Sequence, residues 1–337
     1  MKTHLRQVIA EPHLRGDEAE IGSASILGIV LGATGAALYS LKAVLVKLAY
    51  LPVDGLAANE LPVITLIMLR VGFAFPFYLA ILLWTLRRTD VRPSKGQVIM
   101  AMASGTIAYY GCALLDFTGL QYITAQLERL LLFTYPAFVI LFGALFFGGR
   151  ITRFGLAAVA LAYGGLAIVF AGGEITESRN LWLGSGLIIA CAILFALFQL
   201  IAKQFIDKIG PSLFTCLAMI GGVCAISLHF ITSALSENGV SAALNLPPRI
   251  YIISAIIAVF STLLPSFFIN YAMGKIGAQK VAMLGMVGPL ATIVAAIFIL
   301  GEPFGIWDGV GTFVTISGIA LYLFADKFKP SQPRQAD

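Results

Sequence analysis

A chain of 337 residues with 59% hydrophobic and only 12% charged residues is not an ordinary soluble domain, whose charged share is about 25%. The cysteines, Cys112, Cys191, Cys216 and Cys224, all fall in apolar runs without metal-ligand spacing, which argues against a disulfide framework or a cysteine metal site and reads them as small hydrophobes. The net charge of +5 asks whether an anionic partner is implied, and the placement of the basic residues answers that it is not.

The chain opens with MKTHLRQVIAEPHLRGDEAE, which is polar and mixed in charge. It has neither the apolar core and cleavage site of a signal peptide nor the glycine needed for myristoylation, so residues 1–22 are expected to form a cytoplasmic tail. Ten apolar segments follow, near 25–49, 62–86, 98–120, 123–147, 154–171, 184–202, 212–235, 250–273, 277–300 and 307–325, before a second polar tail at 327–337. Continuous apolar runs of roughly 20 residues predict membrane-spanning helices. In lipid the backbone has to satisfy its own polar groups, and barrel strands would alternate in polarity. With the N-terminus inside, 16 basic residues lie on the inner side and only Arg179 and Arg249 on the outer side. This asymmetry places both termini in the cytoplasm of a cell inner membrane protein and explains the net charge without nucleic acid.

The sequence repeats itself. Shifted by 153 residues, ITAQLERLLLFTYPAFVILFGALFFG lies over IGAQKVAMLGMVGPLATIVAAIFILG, with Pro136 on Pro289, Gly148 on Gly301 and, further on, Gly165 on Gly318. A shift of 156 lays YSLKAVLVKLAY over FALFQLIAKQFI. Prolines and glycines carry backbone meaning, so their register outweighs the low identity. Five helices per half is an odd number, so equivalent helices cross in opposite directions, as in many secondary transporters. The expected fold is therefore an all-α integral membrane protein of ten transmembrane helices in two inverted five-helix repeats, at 24–172 and 183–326.

The stretch GLQYITAQLERLLLFTYPAFVILFGALFFGGRIT resembles the drug/metabolite transporter superfamily, EamA type, and INYAMGKIGAQKVAMLGMVGPLATIVAAIFILGEPFGIWDGVGTFVTISGIAL is similar to its second copy. The shared features are small residues, a mid-helix proline and a glycine turn at the helix end. Tyr39-Ser40 stands where the first helix of that family commonly carries Trp-Gly. The resemblance implies ten helices, cytoplasmic termini, no cofactor, and export or exchange of small metabolites by alternating access.

Charges inside spans are costly, by about 2.5–3.5 kcal/mol on insertion scales, and mark pathways or paired sites. Lys47 sits near a helix end, where it can snorkel. Lys42, Arg70, Asp116, Glu128 and Arg129 lie deeper, and at about 1.5 Å of rise per residue all five fall in the outer half of the bilayer, on the first four helices. The second half has no matching set: Glu128 and Arg129 fall on Val281 and Ala282, and its spans carry neutral polar groups such as Gln199, His229, Ser261, Thr262, Ser266, Asn270 and Tyr271. Adjacent helical residues point about 100° apart, so Glu128 and Arg129 are expected to meet different helices: Asp116 for Arg129, and Lys42 or Arg70 for Glu128. Three roles stay open for this cluster: a substrate site for a zwitterionic or anionic solute, a structural network that only fixes helix packing, and proton coupling through Asp116 or Glu128.

The expected substrate-binding residues are Lys42, Arg70, Asp116, Glu128, Arg129, Tyr135 and Asn270, with Pro136 and Pro289 as hinge or cavity prolines. Tyr109, Tyr110, Phe133 and Phe267 are further aromatic candidates for the cavity wall. His229 is expected to be a hydrogen-bonded packing residue, and Gly28, Gly32 and Gly35 a close helix contact. No HExxH motif, clustered His and Asp, or GxxxxGK[ST] loop occurs, which argues against a membrane enzyme, a metal site or an ATP-driven pump. The expected function is a secondary transporter, an exporter or exchanger of a small polar metabolite such as an amino acid or organic anion, acting as a monomer or homodimer in the bilayer. The alternative is a passive channel or facilitator.

Overall fold

A computed structural model describes residues 26–52, 61–89, 91–123, 128, 131–148, 152–171, 180–236, 239–295 and 306–324. The two polar tails and Arg129 lie outside the described residues. All regular structure among the described residues is helical. In chain order the helices are α1 (residues 26–40), α2 (Lys42–Ala49), α3 (Val63–Arg88), α4 (Lys95–Tyr122), α5 (Tyr135–Phe146), α6 (Arg153–Ala171), α7 (Leu181–Ile209), α8 (Pro211–Ser236), α9 (Pro248–Ile276), α10 (Ala278–Gly285), α11 (Val287–Ala295) and α12 (Ile306–Phe324). Among the described residues six spans are long and apolar enough to cross a membrane: Ile26–Val46, α3, α4, α7, α8 and α9.

Local chemistry sets the helix ends. Ser94 opens α4 with a capping box, its hydroxyl accepting from Gln97 N–H while Gln97 Oε1 accepts from Ser94 N–H. Gly210 and Gly277 each supply a single-residue turn at φ 82° and 86°, between α7 and α8 and between α9 and α10. A side chain there would be strained.

The helices approach closely where glycine removes the side chain. A Cβ on Gly105 would lie 1.8 Å from the Ala218 carbonyl oxygen, and one on Gly221 only 2.0 Å from that of Met102, so α4 and α8 touch backbone to backbone. Gly165 and Gly318, in register in the sequence repeat, each face the partner helix of the α6–α12 pair: their Cβ positions fall 2.4 Å from Thr315 N and 2.5 Å from Ala162 N. Gly28, Gly32 and Gly35 pack α1 onto Ile276, Leu284 and Ile269, as expected for a contact stripe.

Backbone irregularities also recur at one spacing. π-helical segments begin at Thr106 in α4 and at Val259 in α9, 153 residues apart. Turns at Phe133–Thr134 and at Met286 break the fourth and ninth apolar segments, with Phe133 and Met286 again 153 residues apart. Each break lies just before a proline, Pro136 or Pro289, which lacks the N–H to continue the ladder. At the first break the Tyr163 hydroxyl inserts from α6, donating to the Phe133 carbonyl at 2.6 Å and accepting from Ala137 N–H at 3.4 Å. These are the two groups that a continuous helix would have joined to each other.

Removing the Tyr163 hydroxyl leaves the buried Phe133 carbonyl without this partner, while Ala137 N–H keeps its 3.1 Å bond to the Thr134 carbonyl. Tyr163→Phe is expected to cost about 1–3 kcal/mol, read as a lower thermal midpoint of the purified protein in detergent. Gly72→Ala, where an added Cβ meets nothing within 4 Å, should leave the midpoint unchanged.

Candidate substrate cavity

Three of the deep charges of the first half, Lys42, Arg70 and Asp116, meet around Phe117. Lys42, at the start of α2, forms an ion pair with Asp116 of α4, both side chains 2% exposed. The same ammonium stands 4.8 Å from the Tyr39 ring centroid and 5.6 Å from that of Phe117. Arg70 of α3 lies on Phe117 as well, its guanidinium carbon 5.2 Å from the ring centroid. Phe117 thus contacts two cations, a favourable arrangement for an aromatic face.

The two cations differ in their partners. Lys42 is neutralised by Asp116. Arg70 is only 4% exposed, its Nε meets no hydrogen-bond partner, and among the described residues no carboxylate lies within ion-pair distance of it. The groups that act on its charge are Tyr39, Asp116, Tyr78 and Tyr109.

Two small cavities adjoin this cluster. The first, of about 30 Å³, is lined by Lys42 and Asp116 with Cys112, Tyr135, Cys191 and Gly285 among its walls. The second, of about 60 Å³, is lined by Lys42 and Arg70 with Tyr109, Phe198, Thr262 and Asn270 among its walls. Tyr39, Phe195, Gln199 and Ile269 border both, so the space is divided at this level. Tyr39 and Phe195 stack there, ring centroids 6.3 Å apart and planes 7° apart. They come from α1 and α7 and occupy equivalent places in the 156-residue register. Roughly 10–15 Å³ admits one water centre, so the cavities hold a few waters and neither takes a metabolite without helix movement.

The broken helices build the first cavity. Leu132, Phe133 and Tyr135 enter it from the break before α5, and Gly285 from the end of α10. Tyr135 donates to the Ala282 carbonyl at 3.1 Å, and a Cβ on Gly285 would fall 1.6 Å from the Tyr135 hydroxyl. Glycine is therefore required at 285 if Tyr135 is to cross to α10. Gly288 likewise yields to Ser40, whose Oγ would lie 2.0 Å from an added Cβ.

The second half supplies neutral polar groups. Asn270 donates to Thr215 Oγ1 at 2.8 Å, and Ser261 to the Leu38 carbonyl at 3.2 Å, tying α9 to α8 and α1. The Oε1 of Gln199 and the Oγ1 of Thr262 are buried with no hydrogen-bond partner.

Of the residues expected from sequence, Lys42, Arg70, Asp116, Tyr135 and Asn270 line the cavities. Glu128 is fully buried but is a wall of neither, and Arg129 lies outside the described residues. Pro136 and Pro289 are buried and line neither cavity; the turns preceding them shape the chamber. Tyr109 and Phe133 are wall residues, whereas Tyr110 pairs with His229 Nδ1 at 3.1 Å and Phe267 stacks on Tyr78. Tyr39, Phe117, Phe195 and Phe198 were absent from the sequence-derived site. The signal for Tyr39 and Phe195 was their superposition in the 156-residue register.

The sequence pattern of the EamA-like transporter family matches residues 26–171 and again 182–324. The chain belongs to the EamA-like transporter family. It is 29% identical over 229 residues to the uncharacterized transporter YcbK of Bacillus subtilis, covering 67% of this chain and 73% of that protein. To the uncharacterized transporter YyaM of the same organism it is 24% identical over 254 residues, covering 74% and 81%. An uncharacterized transporter of Archaeoglobus fulgidus is 23% identical over 269 residues, covering 78% and 88%. A crystal structure of a protein only 14% identical superposes with a TM-score of 0.69 over 92% of this chain and 99% of that one, which shows a shared fold. This EamA-like chain is thus a multi-pass membrane transporter of the drug/metabolite type, and its cavities lie among helices of both matched segments.

The Lys42–Asp116 pair in this EamA-like protein should behave as a unit. Breaking a buried pair from one side costs about 3–5 kcal/mol, whereas replacing both partners by apolar residues is close to neutral. Lys42→Met and Asp116→Leu are each expected to lower unfolding stability in detergent by that amount. The double variant should recover most of the loss in a double-mutant cycle.

Proposed function

We propose that this chain is a secondary transporter that exports or exchanges a small polar metabolite, of the amino-acid or organic-anion kind, across the inner membrane by alternating access. The observation that carries the reading is the divided cavity: two water-sized chambers, separated at Tyr39 and Phe195, walled by helices of both halves. A channel needs a continuous wet path, and two small separate chambers favour a carrier instead. Parting of α1 and α7 at the Tyr39–Phe195 stack would join the chambers, which is the kind of movement alternating access asks of two repeats rocking about a central site.

The ten-helix layout of two inverted repeats with cytoplasmic termini is part of this proposal. It is supported by the two family matches, by π segments and helix breaks at one spacing, and by the reciprocal contacts of Gly165 and Gly318. A break in a helix gives a carrier a place to bend, and freed backbone groups are tolerated where a side chain such as Tyr163 re-satisfies them. Trp84, Trp182 and Trp307 are all exposed and near helix ends, as in an aromatic belt at the two membrane interfaces.

The test is counterflow in proteoliposomes, with amino acids, nucleosides and organic anions as internal and external solutes. Saturable exchange is expected for at least one class. Flux that rises linearly with concentration and shows no exchange would favour the channel, and no movement of any class would overturn both. Phe195→Ala removes one leaf of the partition; a raised uncoupled efflux at normal folded yield is the expected outcome.

A further inference from the structure

We infer that Arg70 is the anion-recognition residue of the second cavity, and that the solute it admits is a small organic monocarboxylate with an apolar or aromatic body. The inference rests on the transporter reading above and names its substrate class.

The chemistry of the cavity leads there in steps. A guanidinium is effectively always charged, and a charge held away from water without a partner is strongly unfavourable. Arg70 is in that position: 4% exposed, with its Nε unpartnered and no carboxylate at ion-pair distance among the described residues. The missing counter-charge has to come from waters in the cavity or from what the cavity binds. The planar fork of arginine matches a carboxylate through two parallel hydrogen bonds, which a lysine ammonium does not reproduce.

Lys42 does not add a second free cation, because Asp116 holds it. The net charge offered to a ligand is one, which suits a monoanion better than a phosphate dianion. Among the described residues no carboxylate lines the second cavity, so nothing described there pairs with a free ammonium group. The other walls include Tyr39, Tyr109, Phe195, Phe198, Ile269 and Met273, which suit an apolar body, and Ser261, Ser266 and Asn270, whose side chains already donate to protein oxygens. Thr262 Oγ1 and Gln199 Oε1, both without protein partners, give one hydroxyl and one acceptor for a polar substituent near the carboxylate.

The test uses the full chain in detergent and in proteoliposomes, with 3-phenylpropanoate, its neutral amide 3-phenylpropanamide, phenethylamine, L-phenylalanine and phenyl phosphate as probes. The wild type is expected to gain thermal stability with 3-phenylpropanoate and to exchange it, and to respond at least tenfold more weakly to the other four. Arg70→Gln should weaken the carboxylate response at least tenfold, and Arg70→Lys should retain part of it. Equal binding of the amide or the amine, tighter binding of L-phenylalanine or of the phosphate ester, or an unchanged response in Arg70→Gln would overturn the inference. If Arg70→Gln does not fold, the wild-type series and Arg70→Lys decide it alone. Exchange of other solutes without any carboxylate response refutes this inference and leaves the transporter standing; no exchange of any solute refutes both.

Discussion

A charge inside an apolar bundle must find a partner, and this requirement organises the first half of the chain. Lys42 and Asp116 satisfy each other across α2 and α4, so the two helices are held in one register by a contact that lipid cannot compete for. Phe117, next in sequence to Asp116, then presents its ring to both Lys42 and Arg70. Of these two cations Lys42 is committed, and Arg70 is left without an ion-pair partner among the described residues and stands at the wall of the larger cavity. The ion pair fixes the scaffold and, by doing so, makes the neighbouring charge available.

The backbone faces the same constraint as the charges. Each broken segment frees carbonyl and amide groups in a region without bulk water. At the first break the repair is a tyrosine hydroxyl from α6, placed between the two groups the turn has separated. The consequence is geometric: the turn brings Leu132, Phe133 and Tyr135 into the cavity, where a straight helix would carry them around its axis. Glycines at 285 and 288 then make room on the opposite side for Tyr135 and Ser40.

How much of this could be read from sequence follows from what each signal encodes. Hydropathy reports burial along one dimension, and it located the spans that the six long helices occupy. The register of Pro136 with Pro289 pointed to the breaks, although the turns themselves fall a few residues earlier, at Phe133–Thr134 and Met286. Depth arithmetic placed the charges in one layer, but depth carries no rotation about the helix axis. The pairing of Lys42 with Asp116 was therefore not among the expected pairs, and the difference between Lys42 and Arg70 was invisible. The repair by Tyr163 was equally hidden, because the acceptor, the donor and the hydroxyl are brought together only by packing of α6 on the break. The Tyr39–Phe195 stack was present in the 156-residue register, but two residues in register are neighbours only if the halves meet at that point, which sequence does not say.

The two halves share their backbone devices and differ in their charges. π segments, helix breaks and the facing glycines of α6 and α12 recur at a 153-residue spacing, while Val281 and Ala282 stand where the first half has Glu128 and Arg129. In the proposed carrier of two like halves, this division is expected. The features that allow bending have to be matched, because each half must undergo the complementary movement. The groups that recognise a solute need no such match, and doubling a buried cation would double its cost without a second ligand to neutralise it. A single arginine facing a neutral polar wall is the arrangement with the smallest standing cost that still distinguishes an anion. On the proposed reading, the asymmetry follows from burying recognition chemistry where the two matched segments meet.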